Sequence, residues 1–252
     1  MNKLSVVIPA YNEAKNLKKG VLEQVEDFLE KRKIDYEVII VDDGSSDETK
    51  EIIKKIISKN KRFNLIENAH GGKAMAVMTG MLEAKGEIIL FTDMDQATTI
   101  NQVDKFLPKF EEGLPAGRQG YDIVIGSRKG RKGAPLVRKL AAWGFSVLRR
   151  IILGLPFSDT QCGFKAFNKK SVDKIIPKIK DEWGVVHTGG GAVNAGFDVE
   201  VLYLAKKYGF KIAEVEVEWN YVDTERVQVI KDALAAIYDM FRIRINDLRG
   251  KY

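Results

Sequence analysis

The chain has 252 residues, 41 Lys and Arg against 35 Asp and Glu, a net charge of +6, one Cys and 45% apolar residues. That length suits one full-sized α/β unit with a buried core, and a charged fraction of 30% with 9% aromatics excludes a disordered tail or a collagen-like fibre. The single Cys162 excludes a disulfide framework and any multi-cysteine zinc or iron–sulfur site, and fits a reducing compartment.

Strand and helix patterns alternate from the start. Residues 4–8 are a short apolar run of strand type, and residues 13–33 have helical spacing through Leu17, Val21, Val25, Phe28 and Leu29. Residues 36–41 (YEVIIV) read as a buried strand, ended by Asp42, Asp43 and Gly44. Ser45 with Glu48 makes a capping-box pattern that opens a helix running through Ile57. Residues 63–66 are a third strand, 73–84 a helix and 87–91 (EIILF) a fourth strand. This alternation predicts an α/β fold: a Rossmann-like, mainly parallel central sheet with helices on both faces. Such sheets bind ligands beyond the carboxyl ends of their strands. The polar clusters at 9–13, 42–44 and 93–95 all fall there.

Further on, residues 113–120 (GLPAGRQG) read as a turn-rich surface insertion. Residues 121–126 are a strand, 135–153 a helix, and 184–196, with three consecutive glycines, a mobile loop. A helix over 198–208, a strand over 211–217 and an amphipathic helix over 226–248 close the chain. With no repeat and no linker, the expected organisation is one domain over 1–222 and a C-terminal helical appendage over 223–252. No apolar run approaches the roughly 18 residues needed to span a bilayer. The first residues carry too short an apolar stretch for a signal peptide. A soluble, cytoplasmic chain is therefore expected unless something tethers it.

The +6 is unevenly spread: net −2 over residues 1–100, +11 over 101–180 and −3 over 181–252. Between residues 123 and 158 stand eight basic residues and no acid: Arg128, Lys129, Arg131, Lys132, Arg138, Lys139, Arg149 and Arg150. A one-signed stretch attracts phosphates, anionic lipid or nucleic acid, or is simply a solvated face. Asp93 and Asp95 follow the fourth strand, and two carboxylates one residue apart in a turn can hold a hard divalent cation with water and phosphate oxygens. Gly71-Gly72-Lys73 at a helix start could approach an anion. It is not a P-loop, and no dinucleotide-binding glycine fingerprint follows the first strand.

The runs VVIPAYNE, VDDGSSDET, GGKAMAVMTGM and FTDMD resemble the nucleotide-sugar half of family-two GT-A glycosyltransferases. IGSR, PLVRKL, DTQCGFKAF and FDVEVLYLA narrow the resemblance to polyprenyl-phosphate glycosyltransferases, in the dolichyl-phosphate β-glucosyltransferase branch. It covers about residues 4–220, with no Gln-x-x-Arg-Trp signature of processive synthases. The resemblance implies the GT-A fold and inverting transfer of one hexose, glucose first, from a nucleotide diphosphate sugar to a polyprenyl or dolichyl phosphate. UDP-glucose is the favoured donor and GDP-mannose the alternative.

Residue by residue, it places Pro9, Tyr11, Asn12 and Glu13 around the nucleotide, with Lys73 as a further contact. Asp43 or Asp42 lies near the uracil or ribose. Asp93 lies by the ribose or metal, and Asp95 ligates Mg²⁺ or Mn²⁺ on the donor diphosphate. Arg128 and Arg138 match phosphate-gripping arginines, and Asp159 matches a carboxylate near the acceptor. Asp95, Asp159 and Arg128 thus form the expected catalytic group. Gln96 does not occupy the place of a metal-neighbouring Gln in relatives, so that role is not assigned.

Structural readings stand beside these. Glu13 also suits a helix first turn, and Asp43 an Asx-turn. His70 and His187 lack ligand spacing and read as surface or loop residues, and Cys162 as a packed residue. Trp143, Trp183 and Trp219 read as core. Residues 135–153 have the composition of an interfacial helix, which suits peripheral attachment to the cytoplasmic face of a membrane. The C-terminal helix reads as packed on the protein or as a dimer contact, giving a homo-oligomer. The rivals are the same fold acting on a soluble or cell-envelope acceptor, and a non-catalytic polyanion binder. Without an aromatic platform or a nucleic-acid motif, no nucleic-acid partner is expected.

Overall fold

A computed structural model describes residues 3–111, 120–128, 136–186, 195–220 and 229–252; the side chains of 136–142, 181–186, 195 and 229–234 are not among those described. The first half comprises β1 (Leu4–Ala10), α1 (Ala14–Leu17), α2 (Val21–Lys31), β2 (Tyr36–Asp42), α3 (Thr49–Ile57), β3 (Phe63–Glu67), α4 (Lys73–Glu83) and β4 (Ile88–Thr92). After a 3₁₀ turn over Ile100–Lys105 come α5 (Leu107–Glu111), β5 (Ile123–Ser127), α6 (Leu136–Leu153), β6 (Phe164–Asn168) and α7 (Lys169–Val186). The chain then forms α8 (Ala195–Lys207), β7 (Ile212–Glu216) and α9 (Val229–Leu248).

Among the described residues, seven strands make one sheet in the order β3-β2-β1-β4-β6-β5-β7. Only β6 runs against its neighbours, pairing antiparallel with β4 and β5; the other pairings are parallel. Alternate side chains feed two cores. Val7, Ile39, Ile89 and Phe91 pack with α4, α7 and α8, while Val6, Ile8, Val38 and Leu90 pack with α2 and the 3₁₀ turn. Burial on both faces explains why β1, β2 and β4 are mostly apolar; the buried Ser5 of β1 and Glu37 of β2 satisfy each other, the hydroxyl donating to the carboxylate at 2.6 Å.

Three local expectations differ. The helix expected over 13–33 is broken between α1 and α2, where Gly20 takes a left-handed φ of 76° that glycine adopts without a Cβ penalty. The Ser45–Glu48 capping box does not form: α3 begins at Thr49 without a side-chain cap, and Ser45 Oγ instead accepts the Asn12 N–H at 2.9 Å. The expected loop over 184–196 is shortened from both sides by α7 and α8; its residues 187–194, and residues 112–119 of the expected insertion, lie outside the described residues.

The C-terminal helix α9 packs on α6 and α8. Arg242 on α9 is ion-paired at 2.7 Å to Glu200 on α8, which is fully buried and also accepts the Tyr252 hydroxyl. Among the described residues no helix is long and apolar enough to cross a membrane.

Candidate active site

β1 pairs with β2 as far as Ala10 and Asp42, but with β4 only as far as Val7 and Phe91. The last three residues of β1 therefore part from β4, and buried Pro9, which has no N–H to give to a ladder, sits in this stretch. This is the switch point of the sheet, where such folds open a crevice. The loop after β1 is stitched to the loop after β2. Asn12 has a left-handed φ of 54° and accepts the Ser46 N–H on Oδ1 at 2.8 Å. The Glu13 N–H donates to Thr49 Oγ1 at 2.7 Å, and its Oε2 accepts from Asn16 at 2.6 Å.

The two acids ending β2 are used differently. Asp43 is buried, with Oδ1 accepting the Gly71 N–H at 2.9 Å and Oδ2 the Gly72 N–H at 2.8 Å. It therefore holds the start of α4, where a carboxylate suits the helix dipole. Asp42 Oδ2 accepts the Ser45 N–H at 3.3 Å, while its Oδ1 is buried with no hydrogen-bond partner among the described residues. An unmet buried acceptor is costly, and a ligand N–H or O–H would relieve it. His70, read from sequence as a surface or loop residue, belongs to this site. Its Nδ1 lies 2.9 Å from Asp43 Oδ2 and 3.0 Å from the Asp43 carbonyl. Both partners are acceptors, which assigns the proton to Nδ1. The imidazole stacks on Tyr11, centroids 4.2 Å apart at 18°. The only sequence signal was its place just before Gly71-Gly72.

Asp93 and Asp95 follow β4 directly. Lys73, the first residue of α4, puts Nζ 2.5 Å from Asp93 Oδ1. Burial works against the Lys73 ammonium, but Asp93 outweighs it and holds the pKa above the ordinary lysine value. Asp95 Oδ1 accepts the Ala97 N–H at 3.0 Å. Burial raises the Asp95 pKa, and the Asp93 charge adds to the rise. Gln96 takes a left-handed φ of 49° and turns inward, accepting the Ile100 N–H and donating to the Asp93 carbonyl, both at 2.9 Å. It shapes the turn that presents the acids. Across from them, a Cβ on Gly163 would lie 2.0 Å from Asp93 Oδ2, so the backbone there presses on the carboxylate as only glycine allows.

A buried ion pair belongs to the same site. Arg128, just past β5, donates from Nε to Asp159 Oδ2 at 2.6 Å and from Nη2 to Oδ1 at 2.9 Å. Burial would lower the Arg128 pKa, but Asp159 holds it above the ordinary arginine value. Asp159 is fixed in turn, its N–H donating to Glu214 on β7 at 2.9 Å. Lys165 on β6 is buried, with Nζ 2.7 Å from Asp198 on α8 and 2.5 Å from the Cys162 carbonyl. Cys162 is buried, which pushes its thiol pKa up and leaves it a packing residue. An open cleft of about 50 Å³ lies among Asp93, Thr98, Arg128, Gln161, Gly163 and Trp219. Trp219 thus lines the cleft, with the Arg128 guanidinium 5.7 Å from its ring, and is not a core residue. Trp143 is 67% exposed and not core either. The Arg138 and Trp183 side chains and all of His187 lie outside the described residues.

Two carboxylates at a strand end are hard donors of the kind Mg²⁺ and Mn²⁺ take together with phosphate oxygens. Burial and the Asp93 charge both disfavour the ionised Asp95, a cost that a cation would relieve. No group of three or more His, Cys, Asp or Glu gathers to hold a metal among the described residues. The residues therefore fit a cation shared with a phosphate ligand.

Residues 5–176 match the sequence pattern of glycosyl transferase family 2. Over 264 aligned positions the chain is 33% identical to a dolichyl-phosphate beta-glucosyltransferase from Dictyostelium discoideum, covering 98% of this chain and 75% of the relative. The fold matches mannosyl-3-phosphoglycerate synthase from Rubrobacter xylanophilus with a TM-score of 0.68 at 16% identity, over 100% of this chain and 76% of that one. It also matches a mannosyltransferase from Pyrobaculum calidifontis in complex with GDP-Man and Mn²⁺, with a TM-score of 0.57 at 16% identity, over 99% and 74%. The architecture is the GT-A fold expected from the sequence motifs. The chain belongs to glycosyl transferase family 2 and is a glycosyltransferase.

Proposed function

We propose that this enzyme moves one glucose from UDP-glucose to a dolichyl-type polyprenyl phosphate, inverting the anomeric carbon. The observation that carries the reading is one cleft lined both by Asp93, of the Asp93–Asp95 pair, and by the buried, ion-paired Arg128. Two phosphate-bearing substrates meeting at one carbon call for both. The dolichyl-phosphate beta-glucosyltransferase relative supports the choice of sugar and lipid.

On this reading Tyr11, backed by His70, is the flat platform for the uracil, and Asp42 Oδ1 is the acceptor for a base or ribose donor. Pro9, Asn12 and Glu13 shape the wall beside it, and Asp43 acts by holding Gly71, Gly72 and the start of α4. Asp93 and Asp95 would hold Mg²⁺ or Mn²⁺, which neutralises charge on the departing diphosphate when bound. Lys73, already beside Asp93, adds a positive charge to the same group. Arg128, and Arg138 with it, would grip the acceptor phosphate. That phosphate is ionised near neutral pH, so its oxygen attacks C1 of the glucose without loss of a proton. The C1–O bond to the diphosphate breaks, and its electron pair leaves with UDP. Positioning is then the main task of the protein, and Asp159 serves it by orienting Arg128. Replacing His70 with Ala should weaken UDP binding about fivefold, the worth of a stacked aromatic pair, with kcat unchanged. Calorimetric titration of both proteins with UDP checks this.

The lipid substrate requires contact with a membrane surface. Trp143, Val147 and Ile151 on α6, four residues apart, and Tyr238, Phe241, Ile245 and Leu248 on the neighbouring α9 are exposed. Apolar faces of this kind, with Arg150 exposed beside them, suit the headgroup boundary of an anionic bilayer. The double variant Ile151→Glu, Phe241→Glu should lose about tenfold in binding to phosphatidylcholine–phosphatidylglycerol vesicles. UDP binding should stay at the wild-type value, and vesicle co-sedimentation beside calorimetry reads both.

The test of the function is transfer from labelled UDP-glucose or GDP-mannose to dolichyl phosphate, a soluble sugar or a cell-envelope glycan, with Mg²⁺ or Mn²⁺. Label in the lipid fraction from UDP-glucose is expected. Label only in a soluble product or glycan favours the other acceptor class, and salt-sensitive nucleic-acid binding without donor binding favours the polyanion reading.

A further inference from the structure

Arg149 stands in the one-signed basic stretch, yet it is only 2% exposed. Its guanidinium points into the protein. Nη1 donates to Thr160 Oγ1 at 3.0 Å, and Nη2 donates to the Phe157 carbonyl and, at 3.1 Å, to Ser146 Oγ on its own helix. Nε has no hydrogen-bond partner among the described residues. Burying a guanidinium is costly unless its geometry gives something back. Two of its three partners belong to the segment 157–160, and between them lies Asp159, the carboxylate that grips Arg128.

The same segment is held from one further side, and Cys162, two residues beyond it, from another. Glu214 accepts the N–H groups of Ser158 at 2.8 Å and Asp159 at 2.9 Å, and Lys165 donates to the Cys162 carbonyl. Glu214 and Lys165 stand on the sheet, on β7 and β6, whereas Arg149 comes from a peripheral helix. That helix is α6, whose opposite side exposes Trp143 and Ile151.

We infer that Arg149 is a positioning residue for the acceptor end of the site: it ties α6 to the 157–160 segment and thereby sets Asp159 and the Arg128 guanidinium. This rests on the proposed function, in which Arg128 meets the acceptor phosphate. Arg149 makes no contact with a substrate. It makes the helix with the outward apolar face and the phosphate-gripping arginine parts of one rigid unit, so the lipid and its phosphate are met in fixed register.

The test uses the full chain as wild type, Arg149→Met, Arg149→Lys and Thr160→Val. Three readouts are taken: the Arg128 Nε–H signal in a ¹H–¹⁵N spectrum, the UDP affinity, and kcat/KM for dolichyl phosphate. Arg149→Met should shift the Arg128 signal and speed its solvent exchange. Its acceptor kcat/KM should fall about a hundredfold, while UDP affinity stays within about a factor of two. Arg149→Lys should recover part of the loss, and Thr160→Val should move the same readouts by about threefold. An unchanged Arg128 signal in Arg149→Met overturns the inference, as does equal loss of UDP affinity and acceptor kcat/KM. If Arg149→Met does not fold, an unchanged signal in Thr160→Val overturns it instead. A wild type that binds UDP but makes no lipid-linked glucose overturns the proposed function, and the Arg128 signal still decides the positioning role.

Discussion

Replacing Asp95 with Asn should lower the transfer rate roughly 10²–10³-fold while leaving the fold as stable as the wild type, or slightly more so. The rate effect follows from losing one of two hard donors for a cation that balances the departing diphosphate. The stability effect follows from the sign of the Asp95 shift. Burial and the Asp93 charge raise its pKa, so above that pKa its ionised form costs the folded state free energy, and the cost disappears as the pH falls through it. Asn removes the charge at every pH while keeping the Ala97 N–H acceptor. Initial rates, a Mn²⁺ titration in the presence of UDP and a thermal melt at neutral pH measure the three effects. A wild-type rate with unchanged Mn²⁺ affinity would remove Asp95 from the site.

Gly163→Ala should be nearly as damaging to activity, although the glycine carries no functional group. Its added Cβ would lie 2.0 Å from Asp93 Oδ2 and 2.6 Å from Cγ. Either the carboxylate swings away or the turn retreats, and with it the path from Asp159 to Cys162. A displacement of about 1 Å at a reacting centre costs about 10²-fold in rate. Both the Mn²⁺ affinity and the rate should fall in Gly163→Ala. In a Gly163→Ala, Asp93→Asn double variant the losses should fail to add, because one carboxylate transmits both. Additive losses would place the effect of Gly163 elsewhere.

The parts of the site legible in the sequence were those whose neighbours in space are also neighbours in the chain. Residues 87–91 read as a strand because 88–91 are an unbroken apolar run, so Asp93 and Asp95 could be placed at its carboxyl end. The resemblance of DTQCGFKAF implied Asp159 as a carboxylate near the acceptor, and in the structure it grips Arg128. What stayed hidden depends on distant partners. β6 did not read as a strand, for a lysine is its second residue, and Lys165 is buried because Asp198 and the Cys162 carbonyl meet it. His70 carries no ligand spacing, and its role comes from Tyr11 and Asp43, 59 and 27 positions away in the sequence. Arg149 looked like its exposed basic neighbours, because nothing local distinguishes an inward-facing arginine on an amphipathic helix. Trp219 was misread for the same reason: it lines a cleft whose other residues lie more than fifty positions away.

The central claim is a one-step transfer in which an acceptor phosphate oxygen displaces UDP from glucose in the cleft between Asp93 and Arg128. The anomeric configuration of the lipid-linked glucose tests it most directly, read by NMR from product made with UDP-glucose, dolichyl phosphate and Mg²⁺. UDP-glucose is an α-glycoside, so a single displacement predicts a β-linked glucosyl phosphate. An α-linked product, or glucose released only into water, would contradict it.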